Sequence, residues 1–335
     1  MSYQITLQPG AVQYVAEADE TLLEAALRQG VSIPYGCKNG ACCVCKTKLL
    51  DGKADLGAYQ PHALNAREIE EGKLLLCTAR ARSDLTLENH QATRQSEIPV
   101  KLMLAKIKTL QRAAHDVIIL SLQLPAHETF TFRAGQYIDI LLPEGQRRSY
   151  SIASAPEQAG TLELHIRRVP NGLFTGRVFE AMKEKDILRF EGPRGGFFLR
   201  EESDKPVILI ASGTGFAPIK SIVEHTLAQN ITRPLRIYWG CRAQADLYLP
   251  ALPAAWAAEH PHIRFIPVLS AADADWRGRA GFVHQAVLSD YPDLSRHEVY
   301  ACGNPAMVDS ARRELVARCR LPEKSFFADA FTFNA

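Results

Sequence analysis

Apolar and polar positions alternate through Gln4-Ile5-Thr6-Leu7 and again through Gln13-Tyr14-Val15-Ala16, with Pro9-Gly10 between them. A period of two on both sides of a turn signal predicts a β-hairpin. The period then changes. Thr21 and Glu24 have the spacing of a capping box, and Leu22, Leu23, Ala26 and Leu27 give the next stretch one apolar face, which predicts a helix. Val44 to Leu50 and Leu74 to Thr78 return to strand character, and Asp84-Leu85-Thr86-Leu87 reads as an edge strand. A small mixed sheet with a helix across it is expected over residues 1–90.

From Glu88 to Glu97 the chain is polar and aperiodic and Pro99 follows, the pattern of a linker. Over residues 98–200 short alternating stretches recur between Pro and Gly turns: Val117 to Leu120, Tyr137 to Leu142, Thr161 to Arg167 and Ile187 to Phe190. Evenly spaced strands of this kind predict an antiparallel barrel or sandwich. The composition shifts at Glu201-Glu202-Ser203-Asp204-Lys205-Pro206, and residues 205–335 read differently. Pro206 to Ala211 is a continuous apolar run that enters Ser212-Gly213-Thr214-Gly215 and then a helix from about Pro218; Leu235 to Trp239, Ile263 to Val268 and His297 to Cys302 are further strands. Apolar strands alternating with helical stretches predict a parallel sheet covered on both faces. The expected fold class is therefore multidomain: α+β, then antiparallel β-barrel, then α/β parallel sheet.

Charge adds little to this picture. Thirty-nine basic and 37 acidic side chains leave a formal net charge of +2, so the chain lacks the basic excess of a nucleic-acid partner. Met1 to Thr6 has neither the positive start nor the apolar run of a secretory signal, and no window approaches the roughly 18 consecutive apolar residues of a membrane span. A cytoplasmic protein is expected.

The cysteines change the picture most. Four of the eight are spaced Cys37-x4-Cys42-x2-Cys45, with Cys77 far behind. In a long chain without an export signal, disulfides are disfavoured and a thiol cluster points to metal. A tight thiolate loop closed by a distant fourth cysteine is the plant-type spacing for a [2Fe-2S] cluster. Zinc is the rival, but zinc sites usually pair two Cys-x2-Cys knuckles and here there is one. Cys43, between the ligands, is expected to be a small filler and not a fifth ligand.

Two further constellations carry chemistry. Arg148-Ser149-Tyr150-Ser151 combines a phosphate fork, a ring that can stack and a hydroxyl, and Asn171 to Thr175 sits at an expected helix start that favours an anion. A solvated face is the plainer reading of Arg167-Arg168. Gly213-Thr214-Gly215-Phe216-Ala217-Pro218 is a glycine-rich strand-to-helix turn of the sort that admits a pyrophosphate, without the full G-x-G-x-x-G spacing. Cys302-Gly303-Asn304-Pro305 follows another strand; Cys302 can be a buried small hydrophobe or a nicotinamide contact.

Pro34 to Cys45 resembles the cluster loop of plant-type ferredoxins, which implies a β-grasp domain with Cys37, Cys42, Cys45 and Cys77 as ligands. Relatives usually carry Gly within the x2 pair where this chain has Cys43. Residues 98–335 resemble the ferredoxin-NADP(+) reductase superfamily in order. That resemblance implies FAD held by Arg148 at its phosphates, by Tyr150 on its ring and by Ser151 near N5. Gly172, Leu173 and Thr175 would hold the pyrophosphate. It also implies nicotinamide nucleotide binding by Gly213, Thr214, Gly215, Cys302 and Gly303, and hydride chemistry near Ser151 and Cys302. Phe132 to Gln136 and Gly192 to Gly195 resemble its barrel motifs. Phe326 to Phe331 resembles the terminal segment that covers the flavin, with Phe331 as the aromatic and Asp329 as the acidic neighbour; the plainer reading is a terminal strand packing two phenylalanines.

The three-part order resembles reductase components of bacterial oxygenases and the reductases of CDP-deoxysugar biosynthesis. It implies electrons passing from NADH, with NADPH open, through FAD and [2Fe-2S] to an acceptor protein. An oxygenase component is the first expectation and a pyridoxamine-phosphate dehydrase the alternative. A standalone flavin or quinone reductase would leave the four cysteines unexplained. Arg242 reads as solvated, and Asp246 is not counted as a ribose ligand. Lys38, Lys46 and Lys48 flank the loop and would suit an acidic partner surface.

Overall fold

The computed structural model describes residues 1–94 and 98–331; the last three positions of the expected linker and the four C-terminal residues lie outside the described residues. The chain gathers into two compact units, residues 1–94 with 328–331 and residues 98–327. The flavin-like and nucleotide-like segments therefore share one unit.

In the first unit the expected hairpin forms from Ser2–Gln8 and Val12–Glu17. Its alternation places Ile5, Leu7, Tyr14 and Ala16 in the core. The helix Leu22–Arg28 begins at the predicted capping box: the Thr21 side chain accepts from the Glu24 N–H at 3.2 Å, and the Glu24 carboxylate accepts from the Thr21 N–H at 2.9 Å. One expectation is corrected. Leu85–Glu88 is central, not an edge strand: the sheet runs Val12–Glu17, Ser2–Gln8, Leu85–Glu88, Lys46–Asp51, Lys73–Leu75. It pairs parallel with Ser2–Gln8 and antiparallel with Lys46–Asp51, and Leu85 and Leu87 turn fully inward. Its short length and late position in the unit concealed that both of its backbone edges are used. The polar stretch behind it is also less of a linker than expected, because Thr93–Arg94 pairs with Val31–Ser32.

The second unit opens with a six-stranded antiparallel sheet ordered Arg147–Ser151, Tyr137–Leu141, Ile187–Arg194, Lys101–Ala114, Val117–Gln123, Thr161–Arg167. A bridge between Ile152 and Leu164 brings its two ends together, so the sheet closes into the expected barrel. Ile107, Leu120, Leu122, Ile138, Ile140, Leu164 and Phe190 fill the interior. Behind it lies the second sheet, Arg279–Ala280, Ile263–Leu269, Leu235–Cys241, Val207–Ser212, Glu298–Gly303, Phe326–Ala330, with the Val207–Ser212 strand parallel to both neighbours. Val207 to Ala211 are completely buried, as a strand covered on both faces requires. The following helix, Phe216–Ala228, starts two residues earlier than Pro218, which is tolerated because a first-turn N–H has no intrahelical partner to lose.

At the far end of this sheet Arg233 forms a buried ion pair with Glu298 at 2.8 Å and also donates to the carbonyls of Lys205 and Arg200. Arg233→Met leaves the Glu298 carboxylate buried and uncompensated, and is expected to destabilise this unit by about 3–5 kcal/mol. Urea unfolding followed by tryptophan fluorescence measures it; a loss below about 1 kcal/mol would show that the pair adds nothing.

Candidate functional site

The cysteine loop is shaped by left-handed backbone at three places, Lys38 (φ 61°), Gly40 (φ 74°) and Cys43 (φ 53°). A Cβ on Gly40 would lie 2.9 Å from both the Ala58 carbonyl and Tyr59 Cα, so glycine is required there for space as well as for conformation. The turns aim amides at sulfur. The Ala41 N–H donates to Cys37 Sγ and the Cys37 N–H to Cys42 Sγ, each at 3.2 Å. Cys45 Sγ accepts from Cys77 and Leu76 amides.

The sulfurs themselves form a contact chain Cys42–Cys37–Cys77–Cys45. Hydrogen bonds from the Cys42 and Cys77 thiols, reinforced by the amides of Asn39 and Ala41, hold Cys37 at about 2, far below an ordinary thiol. Cys42 and Cys77 are driven up, first by their hydrogen bonds to Cys37. Cys45 is also held below an ordinary thiol, first by its hydrogen bond from Cys77, so the loop favours thiolate at more than one sulfur. Its amide lining suits an acid-labile cluster, whose sulfurs also need donors. The donor set therefore fits a [2Fe-2S] cluster.

Cys43 stands where the resemblance leads one to expect glycine, and its φ explains that expectation: the position is left-handed, which costs a residue with a Cβ roughly 1–2 kcal/mol. Cys43→Gly is expected to keep the visible absorption of the loop and to raise stability by about 0.5–1 kcal/mol, part of the relief being lost to the greater freedom of glycine in the unfolded chain. Thermal midpoints with and without the substitution test this, and a lowered midpoint would show that the Cys43 thiol makes a contact worth more than the strain. Of the basic residues around the loop, Lys46 is already committed to Glu68 at 2.6 Å, whereas Lys48 is exposed and Lys38 lies over the Tyr35 ring at 5.2 Å.

In the second unit, Arg148 and Tyr150 share one face of the strand Arg147–Ser151 by its period of two, and Ser149 and Ser151 share the other. The Tyr150 ring lies 5.3 Å from Phe174, in the first turn of the helix Leu173–Glu180. This contact brings the Arg148–Ser151 strand to the Gly172–Thr175 turn. Asn171 is left-handed (φ 59°), and the Thr175 hydroxyl accepts from the Val169 N–H at 3.2 Å. A Cβ on Gly172 would lie 2.5 Å from that hydroxyl, so the turn is closed by the absence of a side chain. Leu173 is exposed, Thr175 and Ser151 are buried, and among the described residues Arg148 bonds to local neighbours, the Arg147 carbonyl and Gln146. A half-buried guanidinium bonded to the Arg147 carbonyl and Gln146, beside a glycine-lined helix start, fits a dinucleotide with phosphates to offer, as FAD has.

The two remaining turns are packed backbone against backbone. A Cβ on Gly215 would sit 2.2 Å from the Cys302 carbonyl, and one on Gly303 (φ 128°) 2.3 Å from Ser212 Oγ, which itself accepts from the Asn304 N–H at 2.8 Å. The Gly213 carbonyl accepts from the Trp239 indole at 2.9 Å. Gly213, Thr214, Gly215, Cys302 and Gly303 thus converge at the carboxyl end of parallel strands, the usual position of a nucleotide crevice in such sheets. Cys302 itself is completely buried. Asp246 accepts from the Ala243 N–H at 3.0 Å and is buried in that role, while Arg242 is exposed. Phe326 and Phe327 are core residues, Asp329 is buried and Phe331 is half-buried.

Arg167 is not the solvated residue expected. It is half-buried, bonds Asp116 at 2.7 Å, and lies where a Cβ on Gly213 would come within 2.6 Å of Nη1. Glu163, His165, Lys220 and Tyr248, none of them marked by a motif, form a largely buried polar cluster. The sequence carried no signal for it: His165 falls in the polar register of Thr161–Arg167, opposite Leu162, Leu164 and Ile166 in the barrel core, and is buried by Tyr248 on the outer face. Among the described residues no helix is long and apolar enough to cross a membrane.

Comparison with known proteins bears on all three segments. The family described as 2Fe-2S iron-sulfur cluster binding domain matches residues 5–82, oxidoreductase FAD-binding domain residues 104–199, and oxidoreductase NAD-binding domain residues 209–313. The chain is 41% identical over 331 residues to a CDP-6-deoxy-L-threo-D-glycero-4-hexulose-3-dehydrase reductase of Yersinia pseudotuberculosis, covering 99% of each. It is 34% identical to the phenol hydroxylase P5 protein of Acinetobacter pittii, covering 99% of this chain and 95% of that one. Among solved structures, the Amycolatopsis cytochrome P450 reductase GcoB matches with a TM-score of 0.76 and 35% identity, over 99% of both chains.

Proposed function

Since this chain belongs to the iron-sulfur flavoprotein reductases of the ferredoxin-NADP(+) reductase superfamily, we propose that it serves as a three-centre relay whose outlet is the Cys37–Cys45 loop and whose acceptor is a nucleotide-sugar dehydrase. It is an oxidoreductase with FAD, NAD and [2Fe-2S] domains, passing electrons from NADH to a partner protein. The bound flavin supplies the exchange between a two-electron donor and a one-electron cluster.

The protein's own residues do the rest. Gly213 and Gly215 admit the nucleotide backbone to the start of the helix Phe216–Ala228, and Cys302–Gly303 forms the facing wall. Arg148 and the Gly172–Thr175 turn would hold the flavin phosphates, Tyr150 would back the ring and Ser151 would supply a hydroxyl to it. Cys37, Cys42, Cys45 and Cys77 would hold the cluster, with the amides aimed at their sulfurs offsetting its negative charge. Lys48 and Lys38 would guide an acidic partner surface to it. The domain limits that serve this reading are 1–90, 98–200 and 205–335, in a cytoplasmic protein.

The observation that carries the relay is the amide-lined four-thiol loop in one chain with a nucleotide turn. Under anaerobic conditions NADH should bleach flavin and cluster absorption together; bleaching of the flavin alone would end the relay reading. The choice of acceptor rests on identity, 41% to a dehydrase reductase against 34% to a phenol hydroxylase component. Side-by-side turnover with a pyridoxamine-phosphate dehydrase and with an oxygenase component, at equal reductase concentration, decides it. Faster oxygenase turnover would reverse the choice.

A further inference from the structure

The helix Phe216–Ala228 issues directly from the Gly213–Gly215 turn, so whatever holds this helix also holds the turn. Two of its residues are bonded to the segment just past Ser151. Ser221 Oγ donates to the Ser154 carbonyl at 2.8 Å and Lys220 Nζ to the Ala153 carbonyl at 3.4 Å. Lys220 is buried and also meets Glu163 at 3.2 Å and Glu224 at 2.8 Å. Glu163 stands on the barrel strand Thr161–Arg167, whose backbone accepts from the Ala153 N–H at 2.7 Å; its own N–H donates to Ser154 Oγ at 3.1 Å.

A second line of contacts reaches the turn from the same strand. His165 Nε2 meets Glu163 at 2.9 Å and its Nδ1 meets the Tyr248 hydroxyl at 2.8 Å. The Tyr248 ring is edge-on to Trp239 at 5.1 Å, and Trp239 stacks on Phe216 at 4.0 Å with 9° between planes. Trp239 then donates to the Gly213 carbonyl. The protons are dictated by the partners. Burial alone would raise the Glu163 carboxyl, but the His165 hydrogen bond and the Lys220 ammonium outweigh it and hold it at about 2, so it only accepts. His165 therefore carries its proton on Nε2, and burial keeps the ring neutral. Nδ1 is left to accept from Tyr248, whose phenol burial pushes well above its ordinary value. Each group in the chain has one role it can fill.

We propose that Tyr248, His165, Glu163 and Lys220 are positioning residues for electron entry: a buried latch that fixes the nucleotide turn against the barrel strand Thr161–Arg167 and the segment just past Ser151. None of the four need touch either cofactor. The proposal rests on the reading of the two turns as nucleotide and flavin sites, and goes beyond it by placing the control of their separation in side chains outside both motifs.

Three variants test it. Tyr248→Phe removes one hydroxyl and keeps the ring packing. His165→Leu removes both bonds, whereas His165→Gln can donate to Glu163 and accept from Tyr248. In anaerobic single-turnover mixing with NADH, flavin bleaching is expected to slow about tenfold in Y248F and H165L, short of the roughly hundredfold that a 1 Å misplacement can cost. NADH affinity should change less than about twofold, and H165Q should stay within about threefold of the parent. Amide hydrogen exchange in the cofactor-free protein gives an independent readout: the peptide spanning 211–217 should exchange faster in Y248F and H165L and at the parent rate in H165Q. Parent-like bleaching and exchange in Y248F and H165L, or equal loss in H165Q and H165L, would overturn the latch. Failure of the parent protein itself to bleach with NADH would instead overturn the nucleotide assignment, while the exchange result would still judge the latch.

Discussion

Cys77→Ser is expected to leave NADH-dependent bleaching of the flavin within about twofold of the parent while lowering one-electron delivery to a protein acceptor by about a hundredfold. The asymmetry follows from where Cys77 stands. Its thiol meets both Cys37 and Cys45, so it joins the two halves of the sulfur chain. Serine would replace a soft, polarisable donor with a hard one of shorter reach, and the loop would hold its cluster weakly or not at all. The nucleotide and flavin turns belong to the other unit. Cytochrome c serves as one-electron acceptor and ferricyanide as a flavin-level acceptor; equal loss of both activities would sink the idea that inlet and outlet are separable.

The complementary lesion is Gly215→Ala. The conformation of Gly215 is one that alanine could adopt, so the effect would come from space alone. A Cβ there would stand 2.2 Å from the Cys302 carbonyl and 2.9 Å from Gly303 Cα, both backbone atoms with no rotamer to yield. Restoring ordinary contact requires the two turns to part by about 1 Å, a displacement that can cost a hundredfold in rate. NADH-driven bleaching of the flavin should fall by about that factor, while dithionite reduces flavin and cluster as in the parent. An unchanged NADH rate would show that nucleotide binding does not depend on this contact. Together C77S and G215A break the relay at opposite ends, and their phenotypes should not overlap.

Much of this was legible in the residues because short-range rules sufficed. The Thr21 capping box, the hairpin about Pro9-Gly10 and the buried strand at Val207 are each set by neighbours in sequence. The Cys37–Cys45 spacing is likewise local. What escaped was decided by pairing at long range: Leu85–Glu88 became central because strands far away in sequence flank it on both sides. Lys46 read as part of a basic rim because its partner Glu68 lies on a separate helix. The Glu163–His165–Lys220–Tyr248 cluster was hidden for the same reason, its members contributed by a barrel strand, a nucleotide helix and a loop, with no spacing to connect them. Cys43 shows the opposite case, where a departure from the expected glycine was visible at once but its meaning, a left-handed backbone angle, was not.

The central place of Leu85–Glu88 also sets an order of events as the chain is made. Ser2–Gln8 and Lys46–Asp51 cannot both be satisfied until the strand between them has been synthesised, and it is the last of the sheet to appear. Its parallel partner is some eighty residues upstream, a closure of high contact order and hence a slow one. Cys77 emerges before that strand does. All four thiols therefore leave the ribosome before the sheet that holds Lys46–Asp51, the strand directly after Cys45, can be completed.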